Sequence, residues 1–139
     1  MAKAAPFSMR LSDVTDRLVS DEARRTRRTK GAVVEALAEE ALRTRRFPGI
    51  AFRGSDWNRR AWVIGTALDV WEIVIASRSY DTPPEMAAAT DPSESQIRLA
   101  LAYYSEFPDE IDATIAENRR PLAELQRQYP TIDTITAGA

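Results

Sequence analysis

The chain of 139 residues contains no cysteine and no histidine. Without cysteine there is no disulfide framework and no thiolate metal site. Without histidine there is no imidazole general base, no Ser-His-Asp triad and no imidazole ligand for zinc. Carboxylate-only chemistry remains, and the expectation is a protein that is not an enzyme, with no catalytic residue, no metal and no cofactor. No apolar run approaches the length of a membrane span. The N-terminus lacks the apolar stretch of a secretory signal. The expected setting is the cytoplasm, with no membrane partner. There is no internal repeat and no low-complexity tract.

The hydrophobic fraction, 44%, is that of an ordinary folded chain, enough for one domain or two small ones. The net charge of −2 conceals an asymmetry. Residues 1–46 hold 11 Lys/Arg against 7 Asp/Glu, a balance of +4, whereas residues 47–139 hold 8 against 14, a balance of −6. A basic head on an acidic body suits a polyanion at one end and a basic partner, or plain solubility, at the other. The sequence divides accordingly into a head, 1–46, a second domain, 47–130, and a loose tail, 131–139, with Phe47-Pro48-Gly49 as the break.

Near the start, Phe7, Met9 and Leu11 alternate with Ser8 and Arg10, the period of a strand with one greasy and one polar face. A lone strand needs a partner, and the expected partner is a second copy of the chain. Ser12 caps a first helix from Asp13 to about Thr26, with Val14, Leu18 and Val19 as its apolar stripe. Arg24-Arg25-Thr26-Arg27-Arg28 reads as an exposed turn. Thr29 caps a second helix from Lys30 to about Arg43, in which Val33, Leu37 and Ala41 recur at four-residue steps.

Taken together, Phe7 to Leu42 resembles the ribbon-helix-helix family. The resemblance implies an intertwined dimer whose paired strands enter the major groove of DNA. It places Ser8 and Arg10 on the base edges, with Pro6 standing where a longer polar residue is common. Arg10 can give two bonds to guanine, and Ser8 can meet a base or a bridging water. The free amides of Thr29, Lys30 and Gly31 suit a phosphate, and Arg27 and Arg28 add salt-dependent contacts. The dimer core is expected from Phe7, Met9, Leu11, Leu18, Val33 and Leu37. The plainer alternatives are a solvent-facing Arg10, a simple helix cap at Thr29 and a solvated arginine turn.

Beyond the break, residues 50–58 read as irregular and Arg60–Ile64 as a short extended piece. Helices are expected from Ala67 or Leu68 to about Ser79, over Pro83–Ala89, from Asp91-Pro92-Ser93-Glu94 onward, and from Pro108 with Ile111 and Ile115 inward. Pro121 is expected to kink or end the last of these, and Leu122–Gln128 to add a final turn. Residues 59–74 and 96–112 resemble a small helical domain of VapB-type antitoxins, with Gly65-Thr66-Ala67 where that domain carries Gly-Thr-Arg. The fold class is thus expected to be mainly α: an N-terminal ribbon-helix-helix plus a small helical, helix-turn-helix-like domain. Trp57, Trp62 and Trp71 read as core or interface anchors rather than a ligand cage. Asp109, Glu110 and Asp112 read as a solvated face rather than a metal site.

The resemblance implies an antitoxin that represses its own operon, binding double-stranded operator DNA as a homodimer, with higher oligomers left open. Its toxin would be a PIN-like ribonuclease. Glu106, Asp109, Glu110, Glu117 and Glu124 could cover a basic RNA-binding surface, or Arg119 and Arg120 could enter a cluster of metal-binding carboxylates. The rivals are a stand-alone ribbon-helix-helix regulator with a ligand-sensing or oligomerising second domain, and an adaptor whose head binds RNA or an acidic protein.

Overall fold

The computed structural model describes residues 4–119. Ser12 ends the irregular lead-in: its side chain accepts from Thr15 N and opens α1, Asp13–Thr26. Arg27 closes α1 in the left-handed conformation, with φ of 55°. It is the one non-glycine residue with positive φ among the described residues. Thr29 then repeats the device, accepting from Ala32 N at the start of α2, Lys30–Arg46. A side-chain cap of this type contributes about 1 kcal/mol. Arg43, Arg45 and Arg46 carry α2 a turn further than the periodicity predicts, where their charge favours the helix C-terminus.

Phe7-Ser8-Met9-Arg10-Leu11 is not a strand. Residues 4–12 carry no regular secondary structure, α1 is the first element, and Phe7 and Met9 are 82% and 58% exposed. The expected ribbon-helix-helix layout is therefore overturned: helices come first, and the two-stranded sheet lies later in the chain. The physical reason is that alternation fixes which side chains share a face. It does not supply the partner that an extended backbone needs.

The sheet is an antiparallel hairpin of β1, Ile50–Arg53, and β2, Arg60–Val63, paired Ile50 to Val63 and Arg53 to Arg60. It corrects the irregular reading of residues 50–58. The period-two pattern was present, since Ile50, Ala61 and Val63 are buried on one side, but four residues per strand gave it little weight. Gly54 begins the connecting loop with φ of 114°, and a Cβ there would lie 2.2 Å from Asn58 O. Only glycine fits.

Four helices follow: α3, Val70–Ser77, α4, Pro83–Ala89, α5, Glu94–Glu106, and α6, Pro108–Asn118. α3 starts later than expected because Asp69 is its cap, with Glu72 reaching back to Asp69 N at 3.0 Å. Thr82 and Ser93 cap α4 and α5 as the sequence predicts. Pro108 starts α6, with Ile111 and Ile115 buried. The expectations for Pro121, for Leu122–Gln128 and for the tail lie outside the described residues.

These elements form two compact units. One takes the chain up to Pro48 together with Gly54–Arg59; the other takes Gly49–Arg53 and the chain from Arg60 onward. In the first, Val19, Ala23 and Val33 form a small core with Leu11 and Val34 against it. In the second, α3 packs on α5 and α6, α4 packs on α5, and β2 packs on α3. Ile50, Val63, Val70, Ile73, Met86, Ile97, Ala100 and Tyr103 are fully or almost fully buried there. Tyr103 keeps its hydroxyl satisfied by donating to Glu110. Its ring lies 4.9 Å from that of Phe107.

Candidate nucleic-acid interface

The turn between α1 and α2 concentrates positive charge at the surface. Arg27, Thr29, Lys30 and Gly31 are exposed and Arg28 is half-buried. Thr29 Oγ1 takes up one α2 amide, from Ala32. The rest of that first turn has no acidic residue to compensate the positive end of the helix dipole. A Cβ placed on Gly31 meets nothing within 4 Å, so the fold itself does not require glycine there. The absent side chain leaves the backbone open to a close approach from outside. Ser8 and Arg10 are exposed on the lead-in rather than on a sheet.

Charge pairing at this surface was invisible in the sequence. Lys30 is bound to Asp16 of α1, both side chains about half exposed. Arg25 is held by two carboxylates at once: Glu22 one turn back, and Asp56 of the hairpin loop at 3.0 and 3.2 Å. Arg59 of the same loop donates to Glu40 at 2.8 Å. The Arg25 guanidinium holds both the Glu22 and the Asp56 carboxyl below the usual carboxylate range, chiefly through its hydrogen bonds. The two carboxylates in turn raise Arg25, and Glu40 raises Arg59. The separation of 31 residues between Arg25 and Asp56 left no local signal.

The expected dimer-core residues separate in this chain. Val33 is buried and Leu11 is half-buried, but Phe7, Met9, Leu18 and Leu37 are exposed. On α1 it is Val19, not Leu18 or Val14, that enters the core.

At the end of α5, on α6 and just after it, Glu106, Asp109, Glu110, Glu117 and Arg119 are exposed. Glu110 accepts from Tyr103, and Asp112 accepts from Tyr104 at 2.6 Å, which raises the Tyr104 hydroxyl above its ordinary value against the opposing influence of Arg78. Arg120 and Glu124 lie outside the described residues. Among the described residues no group of three carboxylates is placed to hold a metal, and no helix is long and apolar enough to cross a membrane.

Gly65-Thr66-Ala67 forms a tight corner in which Thr66 Oγ1 accepts from Leu68 N and donates to Val63 O. Trp62 Nε1 donates to Thr66 O at 2.7 Å, so this indole serves the corner. The corner and Ala89–Pro92 line an open cleft of about 520 Å³ in which Asp91 is the one ionisable lining residue. Trp57, by contrast, is 78% exposed on the hairpin loop.

No protein family, curated protein or solved structure matches this chain.

Proposed function

We propose that this protein is the antitoxin of a bacterial toxin–antitoxin pair, which binds its own operator DNA as a homodimer and neutralises a cognate toxin of the PIN-like ribonuclease class. One observation carries the proposal. The first unit is basic, its own core is three buried residues, and seven of the eight large exposed hydrophobics among the described residues belong to it: Phe7, Met9, Val14, Leu18, Leu37, Leu42 and Trp57. Exposed apolar side chains concentrated in one unit suit a partner site. A second copy would cover it and would present two basic turns and two open α2 N-termini to one duplex. Thr29, Lys30 and Gly31 take a backbone phosphate, Arg27 and Arg28 add charge, and Ser8 and Arg10 on the lead-in reach toward bases.

The acidic exposed face formed by Glu106, Asp109, Glu110 and Glu117 supports capture of a basic toxin surface. The cleft beside Gly65–Leu68 favours one alternative, a stand-alone regulator whose second unit senses a small molecule.

The test is a gel shift of the full chain on its own upstream DNA, together with co-purification of the product of the adjacent gene and a nuclease assay. The proposal expects a specific shifted band and a neutralised nuclease. A shifted band with no toxin beside it leaves the regulator; no band at all removes both.

A further inference from the structure

Arg53 and Arg60 stand directly opposite one another across the hairpin. Like charges in facing positions on a sheet repel and destabilise it. This chain keeps both and places one buried carboxylate against them. Asp69, its side chain 4% exposed, accepts from Arg53 Nε through one oxygen and from Arg60 Nε through the other, each at 2.8 Å. Among the described residues Asp69 is the one carboxylate that meets either guanidinium; Glu72, which accepts from Asp69 N at 3.0 Å, is the next acid beside them.

Arg53 has further contacts. Arg53 Nη2 donates to Ala67 O at 2.8 Å, and its guanidinium lies 5.2 Å from the centre of the Trp62 ring. Trp62 is in turn fixed by its bond to Thr66 O. Arg60 is gripped through Nε alone. Among the described residues no acceptor meets its terminal Nη1 and Nη2, or the Nη1 of Arg53. The two side chains are 38% and 39% exposed, so these donors reach solvent. The capping box with Glu72 already sets Asp69 at the head of α3, and the second arginine adds repulsion and a free fork.

We propose that Arg53 and Arg60, set in place by Asp69, form a binding site for a phosphate-class oxyanion. A planar guanidinium end matches two oxygens of a phosphate, and a bound anion relieves the repulsion between the facing arginines. The Arg53 guanidinium is oriented before binding, which lowers the ordering cost of capture. The same chemistry is offered by a nucleic-acid backbone and by a small phosphorylated compound. The site lies wholly within the second unit and does not depend on the operator-binding role of the first.

The experiment uses the full-length chain with nitrogen-15 arginine. It is titrated at constant ionic strength with inorganic pyrophosphate in one arm and a DNA duplex of arbitrary sequence in the other, reading the Arg53 and Arg60 side-chain resonances and Trp62 emission. Saturable shifts at Arg60 are expected. Arg60→Gln should weaken the response about tenfold, while Arg60→Lys, which keeps the charge without the planar fork, should weaken it several-fold. Shifts with pyrophosphate alone assign the site to small phosphorylated compounds; shifts with both assign it to a nucleic-acid backbone as well. Unmoved Arg60 resonances in both arms overturn the proposal, and so does an Arg60→Gln chain of unchanged thermal midpoint that responds like the parent. The parent titration needs no variant, so a destabilised Arg60→Gln leaves the question decidable.

Discussion

Single residues decide whether the basic turn is a site or only a surface. Gly31 is the sharpest case, because the fold leaves space for a side chain there. Gly31→Ala should leave stability unchanged or raise it by up to ~1 kcal/mol, since glycine is the poorer helix former. If a phosphate approaches this backbone, the same change should weaken DNA binding several-fold; gel shift and thermal unfolding on one sample separate the two effects. Lys30, paired with Asp16 and about half exposed, keeps donors that can meet a phosphate. Lys30→Ala should therefore lower affinity for all sequences alike and reduce the salt slope by about one, and a changed sequence preference would contradict its phosphate role.

At the same scale, Glu22 and Asp56 give a pH dependence. Both have folded-state values lowered by Arg25. The stabilising contribution is present above the ordinary carboxylate value of about 4 and disappears as pH falls through the lowered folded values. Carboxyl NMR of Asp56 and Glu22 should show titration on the acid side of that value, with the amide shifts of Gly54–Arg59 moving in step. No change in the loop is expected between pH 6 and 8, the range in which about-neutral solutions are handled.

Elements in this chain are fixed by their ends. Ser12, Thr29, Thr82 and Ser93 each cap a helix that the sequence already predicts, because a cap and its helix are neighbours three residues apart. The hairpin was harder to see. Its strands are short, and its turn depends on Gly54 in a conformation closed to other residues. Gly54→Ala should cost about 1–3 kcal/mol in denaturant unfolding, as expected for a strained φ with a backbone clash. A neutral outcome would mean that the loop can rebuild. The N-terminal alternation misled for the complementary reason: Phe7–Leu11 has the pattern of a strand and no partner in the chain.

For the whole molecule, the proposed dimer rests on the exposed apolar residues of the first unit. Full-length protein is expected to be a homodimer by light scattering. Met9→Asp, at a position 58% exposed, should leave the secondary structure intact and shift the population to monomer, because a carboxylate would be buried unpaired at the interface. Retained dimers would remove Phe7–Leu11 from the interface. Under the proposed function, operator affinity should fall with the dimer, as each copy would supply half of the contacts.

The amino-acid order alone determined the basic-to-acidic gradient, a matter of composition, and the helices capped by Ser12, Thr29, Thr82 and Ser93, which depend on residues within a few positions of each other. It also made legible the surface of Thr29, Lys30 and Gly31. Only the tertiary structure decided that Val19 rather than Leu18 is buried, that Asp56 reaches Arg25, and that Asp69 gathers Arg53 and Arg60. Those contacts join residues 31, 16 and 9 positions apart. At such distances the meeting of two side chains is set by how whole elements pack, and neither propensity nor periodicity carries that information.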